Sequence, residues 1–551
     1  MIPRSLSLLL GALVALGPAA ARAIDIPTGG TPARVEVTSA TIAAWHSNNR
    51  NVTSCDDDFG EALERFNLNG SWEEWQAGLR VDAAFYFSKA EVTAPSFIGT
   101  PCRDVDLRGR YLDVQTLPTR PGGPLPERLW LGYTGRRFEV TLGDSYVSFG
   151  RGLTLSLRKT DELGLDNTQR GARVRWTGER FSGTVVAGLT NINNVDEASG
   201  RYEPDPNDGV IGATADVALF DRLRVGGSAV TVLFQEPVSS FAPPDTREYD
   251  ERWLLAGPRI DAPKLTDWLG IYLEGVAQRR TAITGEVETG YGLYGSATAY
   301  AGDLTFLLEG KAYGDLAVVQ PNVGSVDFRA MQYTQLPTLE RVQQQLEHPQ
   351  QDVAGGRVRV DWTVSPTLGL YFNHGTFRDW SGYLDPESFT IFPATIQDPY
   401  AGLMFYGGPW RIHAQAGSRF VLIKGNAVRM DAHADVDVGA SLGGGHSLQL
   451  HVVHQERSKI VLSESRWREG TLQAGWRWRP HLAVSGILDY TTEDGQSQTW
   501  YPGASAEWEI TPSSNLRVFA GQSRGGLKCI SGVCRVFPPF TGVKSTLTLR
   551  F

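Results

Sequence analysis

One run of the chain concentrates the residue types that could do chemistry. It reads Gly143-Asp144, then Phe149-Gly150-Arg151-Gly152-Leu153, then Leu163-Gly164-Leu165-Asp166-Asn167, and closes on Arg170-Gly171. Glycine lets a backbone bend sharply or approach a neighbour closely, and opposed Asp and Arg in a water-filled bore set up a fixed transverse field. Asp144, Arg151, Asp166, Asn167 and Arg170, followed by Arg173 and Arg175, are therefore candidates for a constriction or an internal clamp. The same residues would also suit a salt-bridged bend that only stiffens a wall.

A second run, Gln332-Tyr333-Thr334-Gln335-Leu336-Pro337-Thr338-Leu339-Glu340-Arg341, opens a short predicted helix inside a loop of residues 315–353. Pro337 or Thr338 can start that helix. Long loops with their own secondary structure are often functional. Pro337, Leu339, Glu340 and Arg341 are thus candidates for a plug folded into a pore or for a docking surface outside, beside the plainer alternative of solvated decoration. Other clusters carry less. Residues 203–209 offer oxygen donors without the spaced bidentate glutamate of a calcium loop, and Asp56-Asp57-Asp58 reads as an acidic surface. His446, His451 and His454 fall alternately on opposite faces of a strand, so they share no metal site. No Ser, His and Asp set converges by spacing, and neither an enzyme nor a cofactor is expected.

The elements that must position these residues are strands. In Trp75–Phe87 one row is Trp75, Ala77, Leu79, Val81, Ala83, Phe85 and Phe87, while Gln76, Gly78, Arg80, Asp82 and Tyr86 fall in the other. The segment 303–313 repeats the alternation with Glu309 and Lys311 on its polar side, and 172–176 sets Ala172, Val174 and Trp176 against Arg173 and Arg175. One face suits lipid and the other suits water. The chain is 41% hydrophobic with a mean hydropathy of -0.23, and beyond residue 23 it holds no apolar run long enough for a membrane helix. A net charge of -9 without a long basic tract excludes a nucleic-acid partner.

Residues 1–23 read as an export signal: Arg4, an apolar stretch, then Ala21-Arg22-Ala23. Residues 24–551 then form one domain. Tight turns are expected at Asn69-Gly70, Gly135-Arg136, Gly178-Glu179, Asp221-Arg222, 264–267, Gly302-Asp303, Ser365-Pro366, Gly408-Pro409, 443–445, Arg479-Pro480 and 512–515. Most stand about 35 to 45 residues apart, the length of two strands and a long loop, which implies about 24 strands within a range of roughly 18 to 26. The fold class is therefore all-β: a single large antiparallel transmembrane β-barrel with short periplasmic turns and long extracellular loops. Cys55 and Cys102 fall in the first two long loops, and Cys529 and Cys534 in the last; each pair is either a disulfide of an oxidising compartment or two free thiols.

Val543, Leu547, Leu549 and Phe551 make an alternating row that ends on phenylalanine. That row resembles the C-terminal targeting strand of bacterial outer-membrane proteins, which implies handling by the barrel-assembly machinery. The two distinctive runs resemble an uncharacterised family of bacterial outer-membrane barrels with a GD…FGRGL…LGxDN…RG pattern and a PPTLxRE-like pattern. The likeness covers residues 142–176 and 333–362 and is remotely similar to alginate-export-type, substrate-specific porins. This chain has one proline at Gln335-Leu336-Pro337, and 342–345 lacks the family's histidine, so no site is carried over there.

Two functions remain open. One is a porin-like channel for polar or anionic solutes, lined by Arg80, Asp82, Arg173, Arg175, Glu309, Lys311, Gln473 and Arg477. The other is a non-conducting, loop-plugged scaffold or secretion-associated barrel that binds a partner protein. Both place the chain in outer-membrane lipid and lipopolysaccharide.

Overall fold

The computed structural model describes residues 24–28, 30–50, 58–87, 119–120, 123–124, 126–194, 205–235, 251–282, 284–316, 331–339, 352–385, 390–459, 465–494, 498–530, 533–537 and 539–551. Among them a 25-stranded antiparallel sheet closes on itself. One member, Ile24–Ile26, is a short arm paired to the foot of the first barrel strand. The remaining 24 form the wall.

In chain order these are β1 (Ala33–His46), β2 (Phe59–Trp72), β3 (Trp75–Phe87), β4 (Arg128–Thr134), β5 (Phe138–Ser145), β6 (Thr168–Thr177), β7 (Phe181–Asn191) and β8 (Gly209–Phe220). Next come β9 (Leu223–Leu233), β10 (Arg252–Ala262), β11 (Leu269–Thr281), β12 (Val287–Ala301), β13 (Leu304–Gly314), β14 (Val353–Ser365), β15 (Leu368–Asp385) and β16 (Thr390–Gly407). The circuit ends with β17 (Trp410–Ile423), β18 (Asn426–Gly443), β19 (His446–Lys459), β20 (Ser465–Trp478), β21 (Leu482–Thr491), β22 (Trp500–Thr511), β23 (Ser514–Ser523) and β24 (Phe540–Arg550). Each strand pairs with its chain neighbours, and β1 pairs with β24 from Thr38↔Arg550 to His46↔Gly542. Phe551 completes the seam: its amide donates to the Val37 carbonyl at 2.7 Å and its carbonyl accepts from the Val37 amide at 3.0 Å.

The outward row is apolar along the whole circuit, with Leu131, Val185, Ile211, Leu254, Leu308 and Leu472 among its exposed members. Exposed Trp72, Phe138, Phe220, Trp268, Trp362, Trp410 and Trp508 gather at the tight-turn end, where amphipathic rings sit at a membrane interface. Among the described residues no helix is long and apolar enough to cross a membrane; this chain crosses with strands.

Ten of the expected tight turns lie between the strands as read from the sequence. The first does not. The β2–β3 ladder runs on through Gly70↔Ala77 to Trp72↔Trp75, so Glu73-Glu74 form the tip instead of Asn69-Gly70. The Asn-Gly pair is a strong local hairpin signal, but extending the ladder brings Trp72 and Trp75 to the interface, and that tertiary gain overrides it. The 340–350 half of the expected helix lies outside the described residues, and 331–339 is irregular. Residues 1–23, Cys55, Cys102, Glu340 and Arg341 also lie outside. The backbone pairs Cys529 with Cys534 across a small hairpin, Gly526–Ile530 with Val533–Phe537.

The wall's two faces differ in what they tolerate. Leu308→Arg, at the middle of β13 on the lipid side, is expected to cost about 2–4 kcal/mol in vesicle-reconstituted unfolding. Gln473→Arg, facing the bore on β20, should stay within about 0.5 kcal/mol of the parent.

Candidate functional site

The bore is not empty. After β5 the chain turns inward, and 147–157 form a tight hairpin in which Phe149 pairs with Leu155 and Val147 with Leu157. Its tip is Gly150-Arg151-Gly152, where Gly150 and Gly152 adopt φ of 56° and 96°, values that suit glycine. A second small turn follows, Lys159–Thr160 against Leu165–Asp166 around Asp161–Leu163. Residues 331–339 lie along the first hairpin: the Ser156 amide donates to the Tyr333 carbonyl at 2.7 Å, and the Gln335 amide to the Gly152 carbonyl at 2.9 Å. The two runs distinguished in the sequence thus form one inner body.

That body is glued to the wall by apolar contact. Leu153, Leu155 and Leu157 are fully buried, together with inward-facing Val186, Val232, Trp253, Leu255 and Phe377 from the strands. Burying such side chains contributes about 1.5–3 kcal/mol each, enough to hold a short insert against the wall. Tyr333 sits among Phe234, at 5.6 Å between ring centroids, and Trp253, at 6.4 Å, and its hydroxyl donates to Asp208. The Tyr313 hydroxyl donates to the Pro337 carbonyl at 3.0 Å, and Leu339 is buried beside it. Pro337 and Leu339 therefore belong to the lumen side of the wall.

The hairpin tip is latched by Glu274 on β11, whose carboxylate accepts the Arg151 amide at 2.7 Å and the Tyr272 hydroxyl at 2.5 Å. A Cβ at Gly150 would fall 2.5 Å from a Glu274 oxygen. At the base of the insert Asp166 is gripped by Arg80 at 2.7 Å and accepts the Tyr146 hydroxyl at 2.7 Å. Arg80 also forks onto Asp82, two residues along the same inward face, at 2.6 and 2.8 Å. Arg128 donates to the Asp166 carbonyl at 2.6 Å. Burial by itself would raise the Asp166 carboxyl, but Arg128 and Arg80 outweigh it and hold the group below the usual carboxylate range. Glu127, in the loop before β4, goes the other way: burial, with Asp82 and Asp205 adding repulsion, pushes it up to about 7 against the opposing pull of Arg128 and Arg80.

The remaining candidates separate into groups. Asp144 and Arg170 pair with each other at 2.9 Å, and Asp144 also accepts the Leu129 amide and the Asn191 side chain. In register they continue the row of Leu142 and Ala172, whose outward members face lipid, so this pair ties β4 through β7 together at one edge. Asn167 is buried next to Asp166, its amide bonded to the Arg158 carbonyl at 3.2 Å. Arg173 pairs with Glu139 and donates to the Tyr146 carbonyl at 2.9 Å, while Arg175 faces the bore uncovered. Glu309 accepts Tyr294 at 2.7 Å and Arg357 at 2.5 Å, and Lys311 lies 5.4 Å from the Phe377 ring centroid. Sequence reading missed Glu274, Glu127 and Arg128. It had one available signal for a filled bore: Trp253-Leu254-Leu255 is apolar on both faces, as expected of a strand buried on both sides.

On the circuit from β17 to β23 the inward face is wet toward the tight-turn end and covered toward the long loops, where Arg419, Asp431, His433, Gln455 and Glu469 are buried. Arg411, Gln449, Gln473, Arg477, Glu507 and Arg517 line a cavity of about 600 Å³ there. The three histidines lie on that arc without meeting: His451 approaches Asp435 at 3.2 Å, His446 stacks on Trp476, and His454 bonds to the Tyr490 hydroxyl.

Residues 421–551 match a family described as a family of unknown function (DUF6029). Both distinctive runs lie outside that span. No curated protein matches the chain. Solved structures that are similar include the siderophore receptor PirA from Pseudomonas aeruginosa, at 7% identity over 96% of this chain and 81% of that one, with a TM-score of 0.47. The copper transporter OprC is similar at 9% identity over 94% and 80%, TM-score 0.46, and the P pilus usher (PapC) translocation pore at 10% over 94% and 99%, TM-score 0.40. At such values the likeness goes no further than the course of the backbone. The closed wall, apolar belt and interfacial aromatic ring make this chain an outer-membrane β-barrel.

Gly150→Val is expected to dislodge the hairpin tip from Glu274 and lower stability by roughly 2–3 kcal/mol, read by denaturant unfolding in detergent. For Glu127 the folded group titrates above its unfolded counterpart, so the folded state holds the extra proton between about pH 4.5 and 7. Stability should therefore fall, on the order of 1–3 kcal/mol, as pH rises through that window, and Glu127→Gln should flatten the slope.

Proposed function

We propose that this protein is a solute channel of the outer membrane whose bore is narrowed from within by residues 146–167 and 331–339. Small polar solutes, anions preferred, pass along the uncovered side. One observation carries the reading: toward the long-loop end the apolar inward faces of the β7–β17 circuit are covered by the inner body, whereas toward the tight-turn end β17–β23 present water-exposed Arg411, Gln473, Arg477 and Arg517 to the bore. A wall that had to be sealed everywhere would gain nothing from leaving arginines wet on one arc. Arginine forks suit carboxylate and phosphate. In this reading residues 1–23 are removed on export, and the β24 row ending at Phe551 is what the barrel-assembly machinery recognises.

A second reading, the plugged scaffold that recruits a partner protein, is favoured by the inward course of 331–339. Planar-bilayer recording separates the two. The channel reading expects steady conductance with anion preference from the full chain, and a shift toward cations in the Arg411→Glu, Arg517→Glu double variant. A silent membrane that conducts only after deletion of residues 319–350 would overturn it in favour of the plug.

A further inference from the structure

Beneath the hairpin tip the bore keeps a second polar cavity, of about 460 Å³, roofed by Ser148, Gly150 and Arg151 and walled by β6 to β11. Its charge is unbalanced. Five arginines line it, Arg151, Arg173, Arg175, Arg224 and Arg259, against the two carboxylates Asp216 and Asp261. Arg259 is neutralised by a fork onto Asp216 at 2.5 and 2.6 Å, and Arg173 by Glu139 outside the lining. Among the described residues Arg175 and Arg224 make no ion pair, and the Arg151 guanidinium rests over the Tyr272 ring at 4.9 Å from its centroid. Arg151, Arg175 and Arg224 thus face the carboxylates of Asp261 and of Glu274, which holds the Arg151 amide at the rim, leaving an excess of one positive charge in a partly enclosed space.

The placement of the two unpaired arginines sets the size of what they could hold. Arg175 lies two residues above the end of β6 and Arg224 one above the start of β9, so both stand near the tight-turn end of the wall. Three inter-strand steps separate β6 from β9, roughly 14 Å of backbone at ~4.8 Å per step, and the long side chains reach into that gap. Between them β7 and β8 contribute the hydroxyls of Ser182, Thr184 and Thr214. A cavity of this volume lies within the roughly 300–1,000 Å³ range of small-molecule sites.

We propose that this cavity binds a small organic anion with two anionic groups, carboxylate or phosphate, one held by Arg175 and the other by Arg224, with Arg151 closing over it from the hairpin tip. The inference deepens the channel reading by naming a substrate class, and it rests on that reading's aqueous bore. The latch from Glu274 to the Arg151 amide then acquires a second role, since it fixes the roof of the site.

Calorimetric titration of the full chain in detergent at low salt tests it, with adipate, fructose 1,6-bisphosphate and neutral glucose as probes. Saturable binding of either anion, without glucose binding, supports the site, and the anion that binds identifies the oxyanion. Arg175→Gln and Arg224→Gln should each weaken binding by roughly tenfold or more, Arg175→Lys should recover part of the loss, and Arg34→Gln, at the exposed foot of β1, should change nothing. Heat-modifiable gel migration checks that each variant is folded. Binding of neither anion, binding of glucose as well, or binding indifferent to folded Arg175→Gln and Arg224→Gln overturns the site. Conductance is read separately: conduction without anion binding removes this site and leaves the channel, whereas binding in a silent barrel keeps the site and removes the channel.

Discussion

Backbone amides and carbonyls find no hydrogen-bond partner in hydrocarbon, so a sheet placed there must have no edge. In this chain the requirement is met at one seam, where β1 and β24, the two ends of the described wall, pair over nine residues and Phe551 adds a reciprocal bond with Val37. The rest of the architecture depends on that closure. With every strand paired on both sides, side-chain parity is locked around the whole circuit. A single-residue slip anywhere would turn Leu308 or Ile211 toward water and Glu309 or Arg173 toward lipid.

Closure also creates an interior, and this chain uses that interior unevenly. On the β7–β17 side inward positions toward the long-loop end are largely apolar and pack against the 147–157 hairpin and residues 331–339, producing a core inside the bore. On the other side inward positions remain polar, buried toward the long loops and wet toward the tight turns. The inner body is held at three points of different chemistry: leucines against the wall, the Glu274 carboxylate on the tip, and the Arg80 and Arg128 guanidiniums at the base. Removing one partner of a buried charged contact costs more than the contact contributed, because the other charge is left unpaired. Such a body is best described as a fixed partition rather than a loose loop.

Most of the wall was legible in the residues. Alternation in Trp75–Phe87, tight turns at regular intervals and the terminal phenylalanine row each follow from a local rule, and the strand number follows from counting turns. Where local chemistry and tertiary gain disagreed, at Asn69-Gly70, the ladder continued to the tryptophan pair at the interface. The interior was legible only in part. Asp166 and Arg151 were visible as members of a glycine-rich run, yet their partners Arg80, Arg128 and Glu274 lie on distant strands, and nothing in spacing links residue 80 to residue 166 or 151 to 274.

The sequence alone therefore determined the membrane-spanning barrel, because parity, turn chemistry and span length are properties of neighbours along the chain. The tertiary structure decided what the barrel contains: that the two glycine- and proline-marked runs meet, that Asp144 and Arg170 brace an edge while Arg175 stays open to the bore, and that the bore is filled toward the long loops and wet toward the tight turns. Those outcomes depend on which strands closure brings face to face across the lumen, a relation that has no counterpart in sequence order.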